Sequence, residues 1–373
     1  MWKLLVLQMM QVSGAFALAR RLTRRRVRVL CYHGAWLRNE DQFGDKLFMR
    51  PETFAARMEL LARLGYRVVP LDEAMDMLEG RRPPEEVVAI TIDDGWYSTY
   101  AAMLPVLERH RFPATIYVTT SHVRGQSPVF NLLIQYLVKR SALPEIDLSA
   151  FSWARYLVAP RLRLAQAGER LSAIAALNEV NDRLGDPATR LAMARDLATG
   201  LRVPIDELLE RRIFHMMSPG EIRDAGTRGF DIQLHTHRHT MGDFQSELLS
   251  REILENREVL ADILECPPGH LRHFCYPSGR TDPAAWPVLD RLGVVSATTI
   301  EFGLNPPGIG RFAIRRVLDG ESLSPLEFEA MLSGFYDLMA GPRAWLGRIR
   351  RRLHRQPADP GSPLRAPDGR TNP

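Results

Sequence analysis

The chain has 373 residues, of which 45% are apolar and 25% are charged, so wholesale disorder and a collagen-like fibre are excluded and a large α/β barrel is possible. The net charge of +5 arises at the two ends, because six arginines between Arg20 and Arg28 and six between Arg343 and Arg355 leave −7 on the remainder. An acidic body argues against a nucleic-acid-binding face, and three cysteines without a CxxC pair exclude a disulfide scaffold and a structural zinc site.

Residues 1–26 form an apolar and basic segment. Its apolar part, Leu4–Ala19, is interrupted by Gln8, Gln11 and Ser13 and falls short of the ~20 apolar residues of a membrane-spanning helix. The arginines follow this part instead of preceding it, which disfavours a cleaved signal peptide, and a helix that lies on a membrane surface or docks on another surface fits the pattern equally well. We therefore expect a location in the cytoplasm or at the inner membrane surface, with export or simple solvated ends as the alternatives.

From residue 27 onward, apolar runs that are typical of strands alternate with helical patterns. Strands are predicted at Val27–Tyr32, Tyr66–Val69, Val87–Ile92, Thr115–Thr119, Phe230–Leu234, Arg272–Tyr276, Val294–Thr298 and Phe312–Val317. Helices are predicted at Pro51–Leu64, Ser98–Arg111 with a kink at Pro105, Ser218–Gly229, Glu247–Glu265, Pro283–Leu292 and from Ser324 onward.

This alternation predicts a mainly parallel sheet with helices outside it, and seven or eight strands indicate a closed or nearly closed barrel. Residues 121–215 break the rhythm and are predicted to form a helical insertion, with an amphipathic run near Leu162–Leu184. The barrel is thus predicted over residues 27–340. Residues 341–373 form a basic tail that we expect to be disordered.

Two adjacent carboxylates, Asp93 and Asp94, follow the predicted strand Val87–Ile92. Parallel barrels keep their active sites at this end of their strands. Neighbouring strand residues point to opposite faces, so both aspartates reach one site only if the chain turns, which Gly95 allows. Because adjacent carboxylates repel, the pair indicates a cation or hydrogen-bond donors between them, with a solvated turn or helix cap as the alternative.

Three histidines, His235, His237 and His239, follow the predicted strand Phe230–Leu234. His235 and His239 would share one face of a helical turn, whereas His237 would point elsewhere; a polar surface loop is the alternative. One aspartate and two histidines form a three-ligand site with open positions, which is typical of catalytic metal centres. The other aspartate could accept a proton from metal-acidified water, so the two motifs predict metal-assisted hydrolysis of a carbonyl compound.

A third motif, His273–Gly279, ends the predicted strand Arg272–Tyr276 with Tyr276-Pro277-Ser278-Gly279. Its backbone N–H groups could stabilise an oxyanion, and Tyr276 could form one wall of a sugar pocket. The motif on its own is equally consistent with an ordinary turn.

Together the motifs resemble those of the polysaccharide deacetylases, the NodB-homology group of carbohydrate esterase family 4. Thr91–Gly95 is similar to the family's TFDDG motif, His235–His239 to H-[ST]-x-x-H, and His273–Gly279 to the xFxYPxG form of the branch that includes exopolysaccharide deacetylases. The resemblance covers about residues 27–335 apart from the insertion. It extends to Tyr32-His33, Phe54, Gly65-Tyr66-Arg67, Phe112–Thr115, Ala297–Thr299 and Arg315-Arg316.

The resemblance implies a distorted (β/α)7-type barrel that removes N-acetyl, occasionally O-acetyl, groups from a sugar polymer. It implies that Asp93 is the general base and that the N–H of Ser278 helps to form the oxyanion hole. We count Tyr276, as a wall of the sugar pocket, with these two as a catalytic residue. The resemblance also implies one divalent metal ion, with Zn²⁺ favoured over other transition metals, whose ligands are Asp94, His235 and His239.

Two departures from the family pattern concern the base and the acid. Cys275 stands where many relatives have an arginine that orients the base, for which Arg272 or Arg280 could substitute. The late Leu-x-His motif that supplies the general acid is missing from the sequence. The candidates that remain for the acid are metal-bound water, His237, His273 and His33.

We therefore expect a metal-dependent N-deacetylase that acts on an acetylated glycan in exopolysaccharide, capsule or lipid-linked glycan production. A deacetylase of peptidoglycan or chitooligosaccharide is the first alternative. The second, from another class, is a catalytically weak glycan-binding or assembly protein on the same fold. The complete set of aspartates and histidines argues against the latter, because a binding module needs no open metal position.

Overall fold

The structure is a computed structural model that describes residues 2–37, 48–242, 244 and 247–339. Its strands are β1 Arg28–Tyr32, β2 Gly34–Ala35, β3 Phe48–Met49, β4 Arg67–Val68, β5 Val87–Ile92, β6 Thr115–Val118, β7 Glu145–Asp147, β8 Arg161–Arg163, β9 Asp231–Leu234, β10 His273–Cys275, β11 Ser296–Phe302 and β12 Ile314–Leu318. Its α-helices are α1 Trp2–Val12, α2 Ala15–Leu22, α3 Pro51–Arg63, α4 Leu71–Leu78, α5 Leu104–His110, α6 Phe130–Arg140, α7 Ala167–Arg183, α8 Pro187–Leu201, α9 Asp206–Glu210, α10 Pro219–Thr227, α11 Glu247–Leu264, α12 Trp286–Arg291 and α13 Pro325–Leu332.

Within the described residues, seven parallel strands close into a barrel in the order β1, β12, β11, β10, β9, β6, β5, and β5 pairs again with β1. The short strand β4 pairs with the beginning of β5. All six residues of β5 are buried, as expected for a parallel strand covered on both faces. The predicted closed barrel of alternating strands and helices is therefore confirmed.

Several boundaries follow the sequence signals closely. At the predicted kink, Pro105 separates a π-helical turn at Thr99–Met103 from α5. Proline lacks a backbone N–H and is tolerated only in the first turn of a helix, so α5 begins beside it. Ser218 and Glu221 form the reciprocal cap of α10, and Ser324 and Glu327 form that of α13.

The segment between β6 and α10 contains helices α6 to α9 and a hairpin that the sequence pattern missed. Leu162, predicted in an amphipathic helix, lies in β8, which pairs antiparallel with β7. The alternation Arg161-Leu162-Arg163 has the period of a strand, and α7 begins only at Ala167, after the cap made by Gln166 and Glu169. These helices bury a hydrophobic cluster of their own.

The N-terminal helices pack against the last described helix. Leu7 of α1 and Phe16 of α2 bury against Ala330 of α13. No single helix in the described residues is long and apolar enough to span a membrane, whereas α1 and α2 pass that test only as a pair bent by 71°. Residues 341–373, predicted to be disordered, lie outside the described residues.

Candidate active site

The three motifs meet at the carboxyl ends of β5, β9 and β10, where they line a cleft of about 890 Å³. Residues of the helical insertion line the same cleft. The cleft therefore lies between the end of the barrel and the insertion.

A sharp turn after β5 directs both aspartates into this cleft. Asp94 and Gly95 have φ values of 73° and 83°, in the left-handed region that glycine adopts most easily. A Cβ atom on Gly95 would lie 2.9 Å from Cγ1 of Val118, so only glycine fits against β6. The indole N–H of Trp96 donates to Oδ2 of Asp94 over 2.8 Å and fixes the rotation of this carboxylate.

Asp94, His235 and His239 converge as the sequence predicted. Oδ1 of Asp94 lies 3.1 Å from Nε2 of His235 and 3.4 Å from Nε2 of His239. Ligands at about 2.0–2.1 Å from a tetrahedral ion stand roughly 3.4 Å apart, so these separations suit adjacent ligands of one ion. The donor set of one carboxylate and two imidazoles fits a divalent transition metal and leaves positions open.

The orientation of His235 is set by groups behind it. Its Nδ1 lies 2.8 Å from the carbonyl oxygen of Cys275, so in the neutral ring Nδ1 carries the proton and Nε2 presents its lone pair to the cluster. The backbone N–H of His235 donates to Oδ1 of Asn256, whose Nδ2 donates to the carbonyl of Val118 and to Thr120. Asn256 is fully buried in α11. No motif indicated Asn256; the only signal in the sequence was its position on the apolar helix face that contains Leu249, Ile253 and Leu260.

Charge around Asp94 keeps this carboxylate ionised. Burial opposes ionisation, but the hydrogen bond with His235 and the nearby His33 and His239 together hold the pKa of Asp94 well below its usual range. The cluster therefore presents an anionic ligand at neutral pH, as a cation site requires.

Arg316 from β12 holds the second aspartate. Its NH1 and NH2 donate to the two carboxylate oxygens of Asp93, each over 2.7 Å. The thiols of Cys31 and Cys275 lie 3.6 and 3.4 Å from Oδ2 of the same carboxylate. Burial opposes ionisation, but the charge and hydrogen bonds of Arg316 outweigh it and lower the pKa of Asp93 to about 2.

Neither Arg272 nor Arg280 substitutes for the missing arginine of the third motif, so that prediction was wrong. Arg272 pairs with Asp72 over 2.8 Å, and Arg280 stacks over the ring of Phe244. Arg316 takes the position from β12, which only β1 separates from β5 in the barrel, although it comes 223 residues after Asp93 in the chain. The sequence marked Arg315-Arg316 only as a family resemblance, because its inward direction depends on the strand register of β12.

The structure separates the histidines that were candidates for the general acid. His237 lies 2.9 Å from Thr120 and turns toward Glu255. His273 bonds to Ser296 and Asp72 at the amino end of β10, away from the cleft. His33 lines the cleft, with Nε2 3.8 Å from Oδ2 of Asp93.

The third motif forms a turn at the rim of the cleft. Ser278, with φ 55°, and Gly279 line the cleft, and the N–H of Gly279 closes the turn on the carbonyl of Tyr276. The ring of Tyr276 also lines the cleft, but its hydroxyl donates to the carbonyl of Phe312 over 3.0 Å. Tyr276 therefore provides a wall, and its hydroxyl is directed to the barrel instead of the substrate.

A barrel with this cluster at the carboxyl ends of its strands is a candidate metallohydrolase, and comparison with known proteins gives its class. A family model of polysaccharide deacetylases matches residues 80–157 and 198–297, which contain all three motifs. Poly-beta-1,6-N-acetyl-D-glucosamine N-deacetylase of Escherichia coli K12 is 34% identical over 83 residues. That alignment covers 21% of this chain and 12% of the relative's length.

Two solved structures share the fold. The deacetylase PplD of Streptococcus pyogenes, in complex with acetate, gives a TM-score of 0.52 at 15% identity over 83% of this chain and 99% of its own. IcaB from Ammonifex degensii gives 0.51 at 19% identity over 83% and 97%. The chain carries a polysaccharide deacetylase domain over residues 80–157 and 198–297.

The ion pair between Arg316 and Asp93 predicts a pH-dependent loss of stability in Arg316→Met. The folded-state pKa of about 2 lies below that of an unfolded aspartate, which is ~3.9. The pair therefore stabilises the fold above that unfolded value, and its contribution is lost as the pH falls through the folded value. Removing Arg316 leaves a buried carboxylate without a partner, which we expect to lower the free energy of unfolding at pH 7 by about 3–5 kcal/mol.

The measurement is urea unfolding of both proteins between pH 4 and pH 8. The penalty should shrink toward pH 4, because the unpaired Asp93 then takes up a proton. Arg315→Met, on the exposed side of the same strand, is the matched control and should cost less than about 0.5 kcal/mol. A penalty in Arg316→Met that does not vary with pH would contradict this account.

Proposed function

We propose that this protein is a metal-dependent hydrolase that removes N-acetyl groups from a polysaccharide. The observation that carries the proposal is the cluster of Asp94, His235 and His239 beside the buried, ionised Asp93. The family and the solved structures of the same fold support it. A glycan-binding protein on this barrel would have no use for an anionic three-donor cluster with open positions.

Asp94, His235 and His239 would hold one divalent ion, for which we propose Zn²⁺. When bound, such an ion polarises the acetyl carbonyl and lowers the pKa of water. Two nitrogen donors and one carboxylate are the ligand types that Zn²⁺ takes in hydrolytic sites.

Asp93 would receive the proton of the attacking water. Its low pKa keeps the carboxylate ionised at neutral pH, and Arg316 holds both of its oxygens in place. The peptide N–H of Ser278, at the rim of the same cleft, would face the oxygen of the tetrahedral intermediate.

His33 would protonate the departing amine. Among the candidates for the acid in the described residues, it alone lines the cleft without belonging to the metal cluster. His122 also lines the cleft, but it bonds to Ser127 in the insertion. The side chain of His33 is 21% exposed and lies beside Asp93 on the neighbouring strand end. The proton accepted by Asp93 and the proton donated by His33 would thus be handled within 3.8 Å of each other.

The substrate that we propose is a polymer of N-acetylated hexosamine in exopolysaccharide metabolism. The matching E. coli relative is named for such a polymer. An open cleft of about 890 Å³, walled partly by the insertion, has room for more than one sugar ring.

Substitution of each aspartate separates metal binding from proton transfer. Asp94→Ala should abolish retention of Zn²⁺, because it removes the anionic ligand. Asp93→Asn should retain the ion and lower kcat for acetate release by about 10²–10⁴-fold. Metal content by mass spectrometry and acetate release from N-acetylglucosamine oligomers measure the two effects, with the exposed Asp290→Asn as the control. Full activity of Asp93→Asn would show that the base is a different residue.

Replacement of His33 tests the acid with a choice of leaving group. His33→Gln should lower kcat for the N-acetylated sugar by about 10²-fold or more and leave hydrolysis of p-nitrophenyl acetate nearly unchanged, since nitrophenolate leaves without a proton. Asp93→Asn should slow both reactions. His237→Gln, outside the cleft, is the control for removing a histidine. Equal losses on both substrates in His33→Gln would rule out its role as the acid.

We also propose that residues 1–26 lie on an anionic membrane, which makes the protein peripheral to the inner membrane. Trp2, Leu5, Met9 and Val12 of α1 are 77%, 53%, 55% and 82% exposed, while the other side of α1 packs on α13. Exposed arginines follow in and after α2: Arg21, Arg24 and Arg25. Apolar side chains beside a basic cluster match the interface of an anionic bilayer.

Vesicle sedimentation tests this surface. The full chain should bind phosphatidylglycerol vesicles more tightly than phosphatidylcholine vesicles, and binding should weaken as salt is raised. Changing Trp2, Leu5, Met9 and Val12 to serine should abolish it. Val158→Ser with Leu171→Ser removes exposed apolar side chains elsewhere and is the matched control. Unchanged binding of the quadruple variant would eliminate the proposal.

A further inference from the structure

The cleft has a second wall, which the insertion provides. Its polar residues there come from the last turns of α7 and from α8: Asn178, Asn181, Asp182 and Arg190. None of them belongs to the three motifs, and the segment that contains them, residues 158–197, lies between the two parts of the chain that the family model matches.

The polar side of α7 is a single face of that helix. Asn178, Asn181 and Asp182 are spaced by three and four residues, so their side chains lie next to one another. Leu177 and Val180, on the other side, are buried in the insertion's own hydrophobic cluster. The apolar core of the insertion therefore fixes which face of α7 lines the cleft.

Two carboxamide oxygens on this face lack hydrogen-bond partners among the described residues. Asn181 is 4% exposed, and neither its Oδ1 nor that of Asn178 has a partner among the residues that the structure describes. The amide nitrogen of Asn181 donates to Oδ1 of Asp182 over a long distance, 3.4 Å. Buried carboxamides are rarely left unpaired in a folded protein, so their presence on a cleft wall points to a ligand.

Arg190 completes the patch. Its Nε donates to the carbonyl of Leu184 over 2.8 Å, which anchors the side chain at the start of α8. Arg190 and His122 both line the cleft. Burial and the charge of Arg190 lower the pKa of His122, as expected if the guanidinium lies near this histidine. Carboxamides, a carboxylate and a guanidinium together match the hydroxyl and amide groups of a sugar ring.

We propose that Asn178, Asn181, Asp182 and Arg190 form a subsite for sugar units that flank the acetylated one, so that the protein selects oligomers over single sugars. This inference rests on the proposed deacetylase function and adds its chain-length specificity. The barrel residues act on the acetyl group, and the insertion binds the rest of the glycan.

Length dependence of catalysis tests the subsite. For the Zn²⁺-loaded full chain, KM for acetate release should fall as β-linked N-acetylglucosamine oligomers lengthen from two to six units. Asn178→Ala with Arg190→Ala should raise KM for the hexamer about tenfold or more and leave KM for the dimer and kcat for both within about twofold. Glu179→Ala with Arg195→Ala, exposed residues of the same helices, is the matched control.

Binding gives a second readout that does not require turnover. Titration calorimetry of the hexamer against Asp93→Asn protein should show binding, and adding Asn178→Ala alone, which leaves the anchor of Arg190 intact, should weaken it. If the wild type releases no acetate from any oligomer, the deacetylase proposal fails, and this titration still decides on the subsite. The same length dependence and hexamer affinity with and without the substitutions would overturn the subsite.

Discussion

The two-point bond between Arg316 and Asp93 is the constraint on which the site depends. A carboxylate buried at the end of β5 is stable as an anion only because a guanidinium reaches it from β12. Arg316 is itself fully buried, so the pair holds two charges in the barrel interior and fixes the direction of both. With Asp93 held in this way, the turn at Asp94 and Gly95 can aim the neighbouring carboxylate at the histidines.

Two parts of the chain, the barrel and the insertion, line the site. The barrel strands supply the charged groups, and α11 steadies them through Asn256, which bridges the ends of β6 and β9. The insertion contributes no group to the cluster of Asp94, His235 and His239, yet it walls the cleft with polar side chains.

The folded chain also explains why the third motif has a cysteine instead of an arginine. A cysteine, Cys275, stands where an arginine could have oriented the base, and its thiol lies 3.4 Å from Asp93 and 3.3 Å from Arg316. A long side chain at that position would collide with the guanidinium that arrives from β12. The small side chain of Cys275 therefore leaves the space that the guanidinium of Arg316 occupies.

The sequence by itself determined the barrel and the candidate metal ligands, because strand periodicity and the spacing of His235 and His239 are local properties that survive in any compact parallel fold. It could not assign Arg316, Asn256 or His33, since each depends on which strands become neighbours when the barrel closes. The strands β7 and β8 were missed for a different reason, because a pairing of three residues leaves too short a pattern to predict a strand. Only the tertiary structure decided the pairing of Arg316 with Asp93, because closure of the barrel brings together residues that lie 223 positions apart in the chain.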